Sequence, residues 1–237
     1  MKKPIIQIRG LNFSYPDNTK ALKDINLDIY EGESIGVIGP NGAGKSTLLL
    51  HLNGILNGSG SVRVFDLEMN QKNLMQIRKN VGLVFQDPDN QLFMPTVFDD
   101  VAFGPINLDF SKEEVIKAVD QALEKVNMQS FSNRISHHLS FGEKKKISIA
   151  TVLSMEPKIL VLDEPTSNLD PKSRRDLIEL LHTFSLTKII ASHDLKMIQD
   201  LCQRIVILDS GSMVAIGDTE SILKDETLLK KHSLEIY

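Results

Sequence analysis

Gly39-Pro40-Asn41-Gly42-Ala43-Gly44-Lys45-Ser46-Thr47 constrains this chain more than any other stretch. It sets glycines where a loop must curl and places a lysine and two hydroxyls at the loop's exit. The pattern is G-x-x-x-x-G-K-[ST], and it stands between an apolar run, Ser34–Ile38, and a helical pattern over Lys45–Leu52. A strand before and a helix after are the context in which such a loop wraps its backbone amides around phosphates, with the helix N-terminus adding its positive end. Lys45 is then a point charge near the outer phosphates, and Ser46 offers a hydroxyl to a magnesium ion.

Further runs rich in Val, Ile and Leu recur at 81–85, 159–162, 188–191 and 204–208, each followed by a helical pattern. Short runs of this kind predict strands buried on both faces, and so a parallel sheet covered by helices. The stretch 87–157 is too long for one crossover and reads as mostly helical. The expected organisation is one α/β core, 1–86 and 158–237, carrying an inserted helical subdomain over 87–157. Within the insert, Ser111-Lys112-Glu113-Glu114 has capping-box spacing, and Val115, Val119, Ala122 and Val126 fall on one helical face. Residues 5–29 alternate apolar and polar side chains around Tyr15-Pro16-Asp17-Asn18, which predicts an antiparallel β layer beside the main sheet.

Ile159-Leu160-Val161-Leu162-Asp163-Glu164 is a buried strand that ends in two adjacent carboxylates, at the edge where ligands gather in parallel sheets. The period of two points neighbouring side chains differently, so the two acids suit separate tasks. Asp163 would hold magnesium through its water shell, and Glu164 would polarise an attacking water. Taken alone, the pair reads equally as a turn or a helix cap.

The composition narrows the partners. Net charge is -4, Trp is absent and aromatics make up 5% of the chain. Those values argue against a basic or stacking nucleic-acid surface, so no nucleic-acid partner is expected. The single cysteine, Cys202, sits in a helical-looking stretch, Leu195 to Cys202, and suits a buried position in a reducing compartment. Residues after Met1-Lys2-Lys3-Pro4 turn polar too soon for a secretory signal. No apolar run approaches the ~18 residues that suggest a membrane span, so any membrane role must come through a partner.

A phosphate loop with an acidic strand defines nucleotide triphosphatases broadly; Leu139-Ser140-Phe141-Gly142-Glu143 narrows the class. It resembles the signature of the ABC ATPase family, Leu-Ser-Gly-Gly-Gln or Glu, with Phe141 in place of the first glycine. Ser140 and Glu143 are also spaced as a capping box, so a helix N-terminus is expected there. The resemblance implies an α/β fold of the P-loop NTPase (RecA-like) kind, with a mostly parallel sheet, an N-terminal antiparallel layer and the helical insert. It implies ATP and magnesium as cofactors, bound between two ABC subunits in a homo- or heterodimer. The phosphate loop of one subunit would then face Ser140, Gly142 and Glu143 of the other.

Three more matches extend the resemblance over nearly the whole chain. Gln86 fits the family's glutamine loop, touching magnesium or water. Ser167-Asn168-Leu169-Asp170 fits the loop that crosses to the partner, while Asp170-Pro171 also reads as a helix start. His193 fits the switch histidine at the γ-phosphate. Tyr15 falls where the family stacks an aromatic ring on adenine, or stands as a simple turn or core tyrosine.

Asp87-Pro88-Asp89-Asn90-Gln91-Leu92-Phe93 looks like the element that energy-coupling-factor importers carry after the glutamine loop. Gln91, Leu92 and Phe93 are accordingly expected on a docking surface for integral membrane subunits, with a surface turn plus core residues as the other reading. The Glu143-Lys144-Lys145-Lys146 run, the Thr166-Ser167-Asn168-Leu169-Asp170 variant and the tail ending Lys231-His232-Ser233-Leu234 resemble the cobalt/nickel branch more than the vitamin branch. The lysines otherwise read as a solvated helix face. The implied setting is peripheral, at the cytoplasmic face of the cell membrane. A soluble ABC ATPase with a regulatory task, uncoupled from transport, is the competing class.

Overall fold

The computed structural model describes residues 3–234. Its centre is a six-stranded sheet in the order β10-β9-β3-β8-β7-β6. The strands are β3 (Ser34–Ile38), β6 (Val81–Val84), β7 (Ile159–Asp163), β8 (Thr187–Ala191), β9 (Arg204–Asp209) and β10 (Ser212–Asp218). The first five run parallel, and β10 closes the edge antiparallel to β9. Alternation along β7 explains why such strands read as unbroken apolar runs: Leu160 and Leu162 enter one core, Ile159 and Val161 the other.

The second core lies under a four-stranded sheet, β2-β1-β4-β5, with β1 (Pro4–Ser14), β2 (Lys20–Tyr30), β4 (Ser59–Val64) and β5 (Leu67–Glu68). Ile6, Ile8, Leu22 and Ile29 from this layer meet Leu48 and Leu52 of α1 (Lys45–Leu52). The β1–β2 turn falls at the expected place. Asn18 takes φ +66° there, and the Asp17 carboxylate accepts the Thr19 amide at 2.9 Å. A short helix, α2 (Leu74–Asn80), leads into β6.

Between β6 and β7 the chain forms α3 (Val97–Asn107), α4 (Lys112–Lys125) and α5 (Phe141–Leu153), which pack on one another. Both expected capping boxes are present, Ser111 with Glu114 on α4 and Ser140 with Glu143 on α5. Val115, Val119, Ala122 and Val126 are all buried. Past β7 come α6 (Pro171–Thr183), α7 (Leu195–Leu201), α8 (Thr219–Lys224) and α9 (Glu226–Lys231). Cys202 is buried directly after α7, and burial pushes its thiol up to about 12.

Strand β6 ends one residue short of the expected 81–85, because the Phe85 amide donates to Oε1 of Gln91 at 3.1 Å instead of continuing the strand. The Gln91 amide nitrogen donates in turn to the Ser148 carbonyl and the Thr151 hydroxyl of α5, both at 2.8 Å. Gln91 therefore fastens the loop to the insert, and its polar groups are spent internally. Leu92 is only 1% exposed and belongs to the core, which corrects its expected place on a surface. Buried Asp100 turns the chain here by accepting the amides of Phe93 and Met94 at 2.9 Å and the Ser136 hydroxyl. Phe93 alone of the three emerges, 57% exposed and edge-on to Phe103 with centroids 5.0 Å apart. A second correction concerns the lysine run: Lys145 is 1% exposed, because position 145 of α5 faces the sheet.

Leu92→Ala should lower the unfolding free energy by about 2–5 kcal/mol, the range for deleting a fully buried leucine. Phe93→Ala should cost within about 1 kcal/mol, as for an exposed position. Urea denaturation of both variants checks the contrast, and equal losses would place Phe93 in the core.

Candidate functional site

The phosphate loop is clamped from two sides. A Cβ on Gly39 would lie 2.1 Å from the Leu208 carbonyl oxygen of β9. Gly44, the N-cap of α1, takes φ +101°, and a Cβ there would meet the Ala21 carbonyl oxygen at 2.5 Å. Only glycine lets the loop pass this close to both backbones. Pro40, Asn41, Gly42 and Ala43 fill the curl, and the Gly211 amide donates to the Ala43 carbonyl at 3.1 Å. Lys45 is buried, and its ammonium donates to the carbonyls of Gly39 at 2.7 Å and Pro40 at 3.1 Å. Burial lowers its pKa, while Glu164 and Asp163 pull the other way.

Those two acids close the other wall. Burial lifts the Asp163 carboxyl above its ordinary pKa, and the Ser46 hydroxyl opposes this by hydrogen bonding to the carboxylate. Oδ1 of Asp163 is buried with no hydrogen-bond partner among the described residues. Glu164 turns away from it. The Glu164 backbone lies in the left-handed region at φ +43°, a conformation that costs a non-glycine residue roughly 1–3 kcal/mol and persists only where its surroundings enforce it. They do so here on both sides of the residue. The Glu164 amide donates to the Ala191 carbonyl at 2.9 Å, and its carbonyl accepts from Lys145 at 3.0 Å. Its carboxylate accepts from the Ser192 hydroxyl at 2.9 Å and the His193 amide at 3.1 Å, with His193 Nδ1 at 2.9 Å. The pair therefore faces two directions, through the left-handed turn at Glu164 rather than the strand period, because β7 ends at Asp163.

The other expected residues fall into two groups. Tyr15 and Gln86 flank the loop side. The Tyr15 hydroxyl is 3.0 Å from that of Thr47, and its ring stands edge-on to Phe13 at 5.0 Å. Gln86 has an exposed side chain, while its carbonyl accepts from Lys145 at 2.6 Å. Ser140, Gly142, Glu143 and Asp170 form a separate cluster at the start of α5 and α6. A Cβ on Gly142 would meet the Ser173 hydroxyl at 2.9 Å, and Asp170 caps α6 by accepting the amides of Lys172 and Ser173. These bonds hold the Asp170 carboxyl below its ordinary pKa, the Ser173 hydroxyl most strongly.

Four site residues escaped sequence reasoning. Ser192 donates to Glu164 from just beyond β8; the hint was a hydroxyl placed where an apolar run stops. Arg174 grips Asp194 bidentately at 2.6 and 2.8 Å, and Asp194 caps α7 beside His193. Burial pushes Asp194 upward, but the Arg174 guanidinium leaves it below its ordinary pKa. Lys145 was masked by its charged neighbours.

A cation, a ring of backbone amides and two differently aimed carboxylates suit a polyphosphate and its hydrolysis. Comparison with known proteins agrees. Residues 22–167 match the family described as ABC transporter. An energy-coupling factor transporter ATP-binding protein, EcfA of Methanothermobacter thermautotrophicus, is 47% identical over 238 residues, covering 98% of this chain and 76% of the relative. Among solved structures, CbiO1 of Clostridium perfringens, part of the ABC transporter complex cbiONQ, superposes with a TM-score of 0.84 at 38% identity. That match covers 99% of this chain and 96% of CbiO1. The ATP-binding cassette MJ0796, a dimer in a post-hydrolysis state with ADP and Pi, gives a TM-score of 0.80 at 26% identity over 90% of this chain and 98% of that one. The chain belongs to the ABC transporter ATPase family. Within that family it is an ATPase of the energy-coupling-factor type.

Lys45→Ala should weaken ATP binding by about 10- to 100-fold, the value of ~1.5–3 kcal/mol for a hydrogen bond to a charged group. Calorimetric titration with ATP reads the change, and unchanged affinity would detach the loop from the nucleotide.

Proposed function

We propose that this chain is the ATP-hydrolysing subunit of an importer for cobalt or nickel ions, acting as an ABC dimer at the cytoplasmic face of the membrane. The observation that carries the mechanism is the divergence of Asp163 and Glu164 at the end of β7. The likeness to CbiO1, together with the Thr166–Asp170 variant, supports the choice of branch. Among the described residues, no helix is long and apolar enough to cross a membrane; in this reading separate membrane subunits supply the path.

The oxygen donors fit magnesium, because a buried carboxylate oxygen with no partner lies on the acid that Ser46 touches. Ser46 and Asp163, with Gln86 from the loop after β6, would hold the ion, which neutralises phosphate charge when bound. The chain's own groups do the rest. Lys45 and the backbone N–H groups of Gly39 and of Asn41 to Thr47 hold the phosphates, Pro40 having none to offer, and Tyr15 stacks on adenine. Glu164 accepts the proton of the attacking water at its carboxylate, aimed by Ser192 and the His193 amide. The His193 ring faces the γ-phosphate. Ser140, Gly142 and Glu143 act in the partner's site, where the α5 N-terminus offers its positive end, and Asp170 lies on the loop that crosses over. The segment 87–157 acts as the subdomain that carries this signature.

Membrane subunits dock in a groove of about 680 Å3 lined by Leu74, Met75, Phe93, Phe103 and Met155. Met75, Phe93 and Phe103 expose apolar surface there, the kind of anchor that concentrates interface energy. Leu92 supports this surface from beneath, and Gln91 fixes its loop.

Glu164→Gln should leave ATP affinity within about threefold of the parent and slow turnover by about 10²- to 10⁴-fold, the contribution of a general base. An ATP-stabilised dimer should then accumulate on size exclusion, and near-normal turnover would assign the base elsewhere. Phe93→Ala should reduce co-purification of membrane subunits by about tenfold or more while the isolated chain still binds ATP. Undiminished assembly would move the docking site.

A further inference from the structure

Among the described residues Lys145 is the bulkiest side chain buried almost completely, and it lies one turn into α5. Its ammonium is 2.6 Å from the Gln86 carbonyl oxygen and 3.0 Å from that of Glu164. The Phe141 ring stands 5.5 Å away, within cation–π range. Strands β6 and β7 are paired up to Val84 and Leu162, after which their chains part toward Gln86 and toward the left-handed turn at Glu164. Lys145 bridges that gap, with two of its three donors on the two diverging backbones.

A lysine here is not explained by filling space. Burial draws its pKa down to about 8 against the attraction of Asp163, Glu164 and Asp87, so keeping the charge inside opposes stability. A methionine would occupy a similar volume without that penalty, but it would take from the Gln86 carbonyl its Lys145 donor and leave the Glu164 carbonyl to the Ser167 amide and hydroxyl alone, freeing both from α5. What the ammonium adds is a fixed distance between α5 and two points of the ATP site.

We propose that Lys145 is a positioning residue for ATP hydrolysis: by tying the signature helix α5 to the backbones of Gln86 and Glu164, it makes the position of α5 set the aim of the Glu164 carboxylate. The inference rests on the reading of Glu164 as the group that takes the water's proton. Phe141 and Lys145 are one turn apart on α5, so a displacement of the signature is delivered to the base through a single side chain.

The test measures steady-state MgATP hydrolysis by the full chain carrying Lys145→Met, Lys145→Arg, Glu164→Gln and the Lys145→Met/Glu164→Gln double substitution. Melting curves and ATP titrations accompany the kinetics. Lys145→Met should keep ATP affinity and KM within about threefold and lower kcat by about tenfold or more, because the phosphates are still held while the base is misaimed. Lys145→Arg, which restores a buried cation with several donors, should recover at least about a third of the parent kcat. In the Glu164→Gln background, Lys145→Met should lower the residual rate by less than about twofold, since two residues acting through one group are not additive. Should the methionine variant fail to fold, Lys145→Gln, which keeps a donor for one carbonyl, is read by the same criteria. A folded Lys145→Met variant with kcat within twofold of the parent overturns the inference, as does failure of arginine to rescue, or a full multiplicative loss in the double variant. Near-normal turnover of Glu164→Gln alone removes the base assignment and the inference with it. Multiplicative loss with Glu164→Gln impaired removes only the inference.

Discussion

The central strands are buried on both faces, and everything else in the molecule follows from that constraint. A parallel sheet leaves no face to water, so β3, β7 and β8 need cover above and below. One face takes α3 to α7, and the other takes α1 and the antiparallel layer. Because the strands run the same way, their C-terminal ends open on one edge. That edge receives the phosphate loop from β3, Gln86 after β6, the two acids of β7 and Ser192 after β8. The site is therefore a rim where polar side chains emerge from an apolar slab.

Features with a local cause were legible in the sequence. The phosphate loop, both capping boxes and the Asp170-Pro171 helix start depend on residues a few positions apart, and each lies where spacing placed it. The five apolar strands were legible because double-sided burial leaves no polar position to interrupt them. Strand β10 escaped because it is only partly covered and its burial alternates weakly, and β5 is two residues long. Leu92 and Lys145 escaped for a different reason. Leu92 stands between half-buried Gln91 and exposed Phe93, and Lys145 between two further lysines, so only tertiary packing decides that these two positions turn inward. No local signal distinguishes Lys145 from Lys144, which instead meets Asp89 at 2.7 Å near the surface.

The arrangement around Glu164 shows how a strained residue is held. Its left-handed backbone ends β7 abruptly and swings the carboxylate toward β8, away from Asp163. The segment that receives it, Ser192 to Asp194, is itself anchored: the Asp194 carboxylate takes Arg174 of α6, the Thr166 hydroxyl and the α7 cap. A fork of two charge-assisted bonds fixes orientation as well as distance. The geometry at Glu164 thus depends on a chain of contacts that runs through α6 and α7.

The strand order also determines when the site can exist. Strand β3 lies between β8 and β9, whose residues, Thr187 to Asp209, come late in the chain, while the antiparallel pair β1–β2 closes from near neighbours. Pairings between distant segments form slowly, and domains emerging from the ribosome complete local contacts first. During synthesis the phosphate loop therefore leaves the ribosome long before the strands that flank it. Until those strands arrive it is a glycine-rich segment without a frame, and nucleotide finds its site only after β8 and β9 have been made.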